Sequence, residues 1–311
     1  MIGIDVGGAN LKIVDDNGAH IHYCPLWERS PVTHILNRYV RSPGEPAAVV
    51  MSGELADCFE NKMEGISCIV NAVRKAFPSV RFYGTDGKFH DRAVPQLAAA
   101  NWLASSDYLR KEYPDAVLLD IGSTTADIIP LNSFESLKGL TDLRRLQRGY
   151  LLYTGMLRGN IAVLVRSVML DSVDTPVSSE YFAASADAHL VLGHITSEDY
   201  STDTPDTKEK NRISALRRLA RVVCADLDEI GENGAYQIAV QFWNAQRDLI
   251  RDTVSTVVED SCSTSLLTAG IGASLFAREL GGTDLSSRMG EAADALPAYA
   301  VREVALRDSV F

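Results

Sequence analysis

Apolar residues in the first hundred positions fall into short runs, and most of the runs end at glycine or proline. Met1 to Val6 is one such run, Gly7-Gly8 breaks it and Leu11 to Val14 resumes it, which predicts a strand, a turn and a strand. Asn17-Gly18 marks a second tight turn, with a third strand over Ala19 to Cys24. The spacing then predicts a helix from Thr33 to Arg41, ended by Pro43 and Pro46. A buried strand over Ala47 to Met51, an amphipathic helix from Lys62 to Phe77 stopped at Pro78, and a strand over Val80 to Tyr83 complete this half.

The second half starts in the same way. Ala116 to Ile121 is apolar, Gly122-Ser123-Thr124 interrupts it, and Ala126 to Leu131 resumes it. Asp5 thus corresponds to Asp120, and Gly7 to Gly122. Two strand-Asp-x-Gly turns, each followed by a return strand, read as a duplicated unit. The expectation is an α/β chain of two related lobes, residues 1–112 and 113–311, joined near Ser105 to Pro114. The second lobe carries a helical insertion, with helices expected over Ser179 to Leu192, Glu209 to Glu229 and Ala235 to Glu259. Ser197 to Lys210, rich in Ser, Thr, Asp and Pro, reads as an exposed loop. Leu266 to Ala269 is a short strand entering Gly270-Ile271-Gly272-Ala273, and a helix follows from Ser274 to Leu280.

Composition narrows the function classes. The 311 residues suffice for two cores, and 46% hydrophobic with 23% charged residues is a globular balance. A net charge of −11 argues against a general nucleic-acid or anionic-membrane binder. It leaves room for a small anionic ligand, because backbone amides bind phosphate whatever the overall charge. Cys24, Cys58, Cys68, Cys224 and Cys262 never stand at CxxC spacing, so buried free thiols are expected rather than disulfides or zinc. Met1 and Ile2 run straight into the first motif and no apolar run nears membrane-spanning length, which points to a cytoplasmic protein.

The turns suggest the chemistry. A strand that ends in Asp-x-Gly and reverses at once exposes several backbone amides. Gly7 and Gly8 leave their approach open, Ala9 and Asn10 continue that turn, and Ser123, Thr124 and Thr125 add hydroxyls beside Gly122 on the other lobe. Asp5 and Asp120 at the strand ends can hold a hydrated Mg²⁺ that bridges to a polyphosphate, and Lys12 can neutralise residual charge. Gly270 and Gly272 would let backbone lie against a ring or a phosphate, or simply form a tight strand-to-helix turn. Together these motifs resemble the actin-like ATPase superfold, also described as ribonuclease-H-like: Gly3 to Val14 its first phosphate motif, Leu118 to Leu131 its second, Leu267 to Ala273 its adenosine motif. That superfold hosts kinases, ATPases, filament proteins and enzymes that use no ATP.

A closer resemblance rests on Gly3 to Lys12, Met51 to Phe59 with Asn61-Lys62 and Glu64-Gly65, Ala99 to Ala104, Asp120 to Pro130, Gly149 to Gly155 and Ala186-Asp187. These stretches resemble the methanofuran-biosynthesis synthase family, a tetrahydromethanopterin-linked one-carbon pathway group allied to the hydantoinase/oxoprolinase proteins. The resemblance implies a transferase that joins an aminomethylfuran-methyl diphosphate to the phenol oxygen of γ-glutamyltyramine and releases diphosphate. It implies small-molecule substrates, Mg²⁺ as the expected cofactor and no need of ATP. Two alternatives stay open from the residues themselves: an ATP-dependent small-molecule kinase or hydantoinase/oxoprolinase-like hydrolase, and a nucleotide-regulated assembly protein.

Attack by a phenol, whose pKa is near ~10, calls for a base. Glu54 follows the Ala47–Met51 strand, Asp86 follows the Val80–Tyr83 strand, and Asp120 ends a strand, all places where ligands of open α/β sheets gather. Acidic residues are also favoured where helices begin, which would account for Glu54 equally well. Asp127, on the return strand, reads as a cleft carboxylate or as a turn acceptor. His90 is the best placed of the six histidines, while His189 and His194 read as structural.

Overall fold

The computed structural model describes residues 1–28 and 31–311. Its first sheet is built from β1 (Ile2–Val6), β2 (Asn10–Asp15), β3 (Gly18–Tyr23), β4 (Ala47–Met51), β5 (Val80–Tyr83) and β6 (Phe89–His90), in the order β3-β2-β1-β4-β5-β6. The second half contributes β7 (Ala116–Ile121), β8 (Ala126–Pro130) and β9 (Leu151–Leu152), then a separate hairpin of β10 (Ser167–Leu170) and β11 (Val173–Pro176), then β12 (Ser265–Ala269) and β13 (Thr283–Asp284). The second sheet runs β13-β12-β7-β8-β9.

The duplication is visible in the pairing. β1 lies antiparallel to β2 and parallel to β4, and β7 lies antiparallel to β8 and parallel to β12. Asp5 stands opposite Lys12 in its ladder, and Asp120 stands opposite Asp127. β1 and β4 are buried along their full length, as central strands covered on both faces must be. This is the two-lobed α/β architecture of actin-like proteins.

Helices supply the layers. α1 (Val32–Asn37) and α2 (Lys62–Ala76) cover one face of the first sheet. In α2, Ile66, Ile69, Val70 and Val73 recur at helical spacing on the buried side. Its start is held by Asn61, which accepts from Glu64 N, while the Glu64 carboxylate accepts from Glu60 N. α3 (Asn101–Leu109) carries the chain to the second sheet, where α4 (Phe134–Leu137), α5 (Asp142–Gln147) and α6 (Ile161–Leu164) are short. α7 (Ser185–Val191), α8 (Arg212–Arg221) and α9 (Leu227–Ser261), whose helical path is broken at Gly231 (φ 67°), pack on one another. α10 (Ala273–Leu280) and α11 (Ser286–Met289) precede α12 (Leu296–Arg307).

One core lies between the two sheets. Val50 of the first sheet, Leu118 and Leu267 of the second, Leu103 of α3 and Leu296, Val301 and Val304 of α12 share it. The C-terminal helix therefore rests on the N-terminal strands, and a Cβ at Gly3 would stand 2.0 Å from Ala298 O. Among the described residues, no helix is long and apolar enough to cross a membrane.

Several expectations need correction. The helix expected from Ser179 shortens to α7, whose first turn is closed by the Asp187 carboxylate accepting from Ala184 N. The single helix expected over Glu209 to Glu229 is broken at Cys224, which adopts a left-handed backbone (φ 59°), and Asp226 caps a new helix, α9. The helix expected over Thr33 to Arg41 ends at Asn37. Ser197 to Lys210 is anchored rather than exposed throughout: Tyr200, Thr202 and Thr204 are buried, and Asp206 binds Arg218 and Arg221. No disulfide joins the cysteines among the described residues, but Cys68, Cys224 and Cys262 are exposed, Cys58 is half-buried and only Cys24 is buried.

Candidate active site

The two turns face a common cleft of about 260 Å³. In the first, Gly7 N donates to Asn10 O at 2.9 Å, and in the second Gly122 N donates to Thr125 O at the same 2.9 Å. The amides of Gly8, Ala9, Ser123 and Thr124 donate to no acceptor among the described residues, so both turns present free N–H groups. Each turn is backed by a glycine. A Cβ at Gly53 would lie 2.8 Å from Gly7 O, and one at Gly155 would lie 2.6 Å from the Ser123 carbonyl. Chain reaches these positions so closely only because no side chain stands between.

Between the turns lies a buried acidic group. Burial pushes the Asp5 carboxyl up to about 6 against the pull of Lys12, and pushes Asp120 up to about 7, with Asp127 and Asp5 adding to the rise. Asp5 Oδ1 is buried without a hydrogen-bond partner. An orphaned carboxylate oxygen beside free amides suits a hydrated Mg²⁺, which takes one or two carboxylates and fills its other positions with water and phosphate oxygens. No group of three His, Cys, Asp or Glu side chains that could hold a metal ion by themselves occurs among the described residues.

Arg145 closes another side. It is buried, donates to Asp127, to Asp142 at 2.9 Å and to Tyr150 O at 3.3 Å, and its guanidinium lies 4.3 Å over the Trp102 ring. Burial raises Asp127, and Arg145 opposes that rise. With one guanidinium bonded to both, Asp127 and Asp142 are held in place and their negative charge is partly offset.

The hydantoinase/oxoprolinase family model matches residues 45–302. The (4-{4-[2-(gamma-L-glutamylamino)ethyl]phenoxymethyl}furan-2-yl)methanamine synthase of Methanocaldococcus jannaschii is 36% identical over 283 residues, covering 88% of this chain and 86% of that protein. This chain belongs to the methanofuran-biosynthesis synthases within the hydantoinase/oxoprolinase family. A synthase of the same name from Methanococcus vannielii is 39% identical over 158 residues, 51% of this chain and 71% of that protein. The chain is therefore an enzyme. A nucleotide-free acetone carboxylase structure matches with a TM-score of 0.54 at 10% identity, covering 96% of this chain and 69% of that one, a likeness of fold alone.

In this synthase-family fold, Asp5, Gly7, Gly8, Ala9, Asn10, Lys12, Asp120, Gly122, Ser123, Thr124 and Thr125 all line the one cleft. Four expected site positions, Asp86, Gly270, Gly272 and Glu54, are not among the residues lining it. Asp86 sits in the turn between β5 and β6, with its Oδ1 3.0 Å from His90 Nε2 and accepting from Lys88 N, and it is not part of the cleft lining. Gly270 and Gly272 press against the end of β7: a Cβ at Gly270 would meet Ile121 O at 2.5 Å and Asp120 Oδ1 at 2.6 Å, and one at Gly272 would meet the Ile121 side chain. Their place is behind Asp120 rather than in the cleft, so they let the third segment pack on the second turn. Glu54 lies just outside the lining, buried, with Oε2 lacking a partner and its carboxyl raised by burial.

The cleft also gathers residues that local pattern did not single out: Ser52, Asn101, Asp142, Arg145, Tyr153 and Arg158. Ser52 follows Met51 and Asn101 follows Ala100 within stretches that carried the family resemblance, which is the one signal that could have flagged them. His189 bonds Gln246 Oε1 at 2.8 Å, and Gln246 donates to Thr154 Oγ1 at 2.9 Å and Gly155 O at 3.1 Å, so this histidine braces the segment behind the second turn.

Proposed function

We propose that this enzyme joins an aminomethylfuran-methyl diphosphate to the phenol oxygen of γ-glutamyltyramine and releases diphosphate. The observation that carries the reading is the pair of free-amide turns facing one another across a cleft floored by Asp5 and Asp120, in a chain 36% identical to a synthase whose product joins a phenoxy group to a furan. In the transfer, a carbon–oxygen bond forms between the furylmethyl carbon and the phenol, and the bond from that carbon to the diphosphate oxygen breaks. The phenol proton leaves to a carboxylate.

The chain's own groups divide the work. Amides of Gly8, Ala9, Ser123 and Thr124 hold the diphosphate oxygens and meet the charge that grows as the bond breaks. Asp5, with its unpartnered oxygen, would hold Mg²⁺, which when bound supplies positive charge to the leaving group. Asp120 then serves as the acceptor of the phenol proton: it faces the cleft, and its raised carboxyl suits proton transfer near neutral pH. Asp127 and Asp142 are committed to Arg145, and Glu54 stands outside the lining. Tyr153, exposed at the cleft wall, offers a ring to the furan as positive character develops on its methylene carbon.

Incubation of the purified protein with both substrates and Mg²⁺ should yield the ether by mass spectrometry, with diphosphate released one for one. Asp120→Asn should lower kcat ~10²–10⁴-fold with diphosphate binding retained, while Glu54→Gln should fall by less than ~10-fold. Hydrolysis or transfer of the γ-phosphate of ATP, with the furylmethyl diphosphate left untouched, would overturn the reading in favour of a kinase or hydrolase.

A further inference from the structure

Three cations line the cleft: Lys12, Arg145 and Arg158. Lys12 stands in register with Asp5 and lies in the field of Asp120 and Asp127. Arg145 is bonded to Asp127 and Asp142. Neither Lys12 nor Arg158 has an ion-pair or side-chain hydrogen-bond partner among the described residues, but Lys12 is set against the three buried carboxylates Asp5, Asp120 and Asp127. Arg158, whose guanidinium contacts the Trp27 ring, is the cleft cation not set against those carboxylates and so the one placed for an anionic ligand.

Its position is also particular. Arg158 N donates to Ser123 O at 3.0 Å, which ties its backbone to the second turn. Its guanidinium lies 4.7 Å over the ring of Trp27. Trp27 belongs to the segment fastened to the first turn, where Leu26 N donates to Gly8 O at 2.9 Å and Cys24 N to Ala9 O at 2.8 Å. One side-chain contact thus spans from the second free-amide turn to the first. Stacking on an indole fixes the plane of a guanidinium while leaving its edge N–H donors open to phosphate oxygens.

We infer that Arg158 clamps the diphosphate between the two turns and that Trp27 holds the guanidinium in place for it. The inference rests on the reading of the cleft as a diphosphate site. An arginine already stacked loses less side-chain freedom on binding than one free in solvent, so the contact with Trp27 raises affinity without touching the ligand. The pair also links occupancy to lobe geometry, since Arg158 can meet the diphosphate and Trp27 together only when the two turns are close.

The test is titration of inorganic diphosphate, with Mg²⁺, into the full-length protein. Trp102 and Trp243 are buried and Trp27 is half-buried, so the tryptophan emission change should come from Trp27. Arg158→Ala should weaken diphosphate binding ~10–100-fold, the range of a lost charge-assisted contact, with an unchanged melting temperature and circular dichroism. Arg158→Lys keeps the charge without the planar stack and should recover only part of that loss. Trp27→Phe should abolish the emission change while calorimetry still finds diphosphate bound. Calorimetric binding of γ-glutamyltyramine should be the same in Arg158→Ala and the parent protein. Equal diphosphate affinity in Arg158→Ala, or a loss confined to γ-glutamyltyramine, overturns the inference. If diphosphate binding depends on Arg158 but no ether ever forms, the transfer reaction falls and the clamp stands. If ether forms and Arg158→Ala binds diphosphate normally, the clamp falls and the reaction stands. A parent protein that binds no diphosphate overturns both.

Discussion

Gly155 is where a single added methyl group should separate catalysis from folding. Its Cβ would stand 2.6 Å from the carbonyl carbon and oxygen of Ser123 and the same 2.6 Å from the carbonyl carbon of Thr124. All three are backbone atoms, so no flexible side chain can yield. Relief requires the second turn to move by about 0.8 Å, the gap between 2.6 Å and the 3.4 Å at which ordinary contact begins. Overpacking of this kind costs ~1–3 kcal/mol of stability. The kinetic cost should be larger, because displacing positioned groups by about 1 Å can lower a rate ~10²-fold. We expect Gly155→Ala to lose ~10²-fold in kcat/KM for ether formation and to weaken diphosphate binding, while urea unfolding shows a loss of ~1–3 kcal/mol. Gly159→Ala is the control, since its Cβ would meet only the Ser185 side chain at 3.4 and 3.5 Å and should stay within ~0.5 kcal/mol of the parent with full activity. Wild-type kcat/KM in Gly155→Ala, or an equal loss in Gly159→Ala, would refute the claim that the second turn's placement is what Gly155 protects.

Other expectations can be checked in parallel. Asp187 and Arg218 are both wholly buried, 2.7 Å apart, so Asp187→Ala leaves Arg218 with only Asp206, which is shared with Arg221, and should cost up to ~3–5 kcal/mol in urea unfolding; a loss under ~1 kcal/mol would contradict it. In the folded chain Asp5 and Asp120 keep protons to about pH 6 and 7, against ~4 when unfolded, so the metal-free fold binds more protons in that window and loses stability as pH rises through it. An Asp5→Asn/Asp120→Asn double variant should remove that slope between pH 5 and 7, measured in EDTA, and a slope equal to the parent's would count against the assignment. His189 works in the opposite direction: its buried ring stays neutral down to about pH 3, so its contribution is lost as pH falls below 6.5. Gly270→Ala places a methyl group 2.6 Å from Asp120 Oδ1 at a backbone φ of 80°, and should impair turnover without touching the cleft lining; full activity would show that Asp120 need not be held there.

The strand-Asp-x-Gly-turn-strand units were legible along the chain because each is local. Five or six apolar residues, a carboxylate and a glycine reversal specify a strand end with free amides whatever the rest of the molecule does. Both copies, with Asp5 and Asp120 at equivalent strand ends, follow from that, while the meeting of Gly7 to Asn10 with Gly122 to Thr125 in one cleft comes from the packing of the two halves. Helix boundaries in the insertion were less legible, since Cys224 breaks an apolar periodicity that continues on either side of it. Asp86 and the Gly270–Gly272 turn carry the right residue types in the right kind of place, yet packing sends one to His90 and the other to the back of β7.

What only the tertiary structure decided is which distant residues meet. Arg145 is seen to neutralise Asp127 and stack on Trp102 only once α3 and α5 are set against the second sheet. Gly3, Gly53, Gly65 and Gly155 look alike in sequence, but each is required by a different backbone approaching it: α12, the first turn, the chain at Glu54 and the second turn. Arg158, stacked on Trp27 and bonded to no carboxylate among the described residues, stands out only once Lys12 is seen set against Asp5 and Arg145 bonded to Asp127 and Asp142. Local pattern encodes strands and turns because they are made by neighbours; charge balance and close packing are made by residues a hundred positions apart, and they exist only in the folded chain.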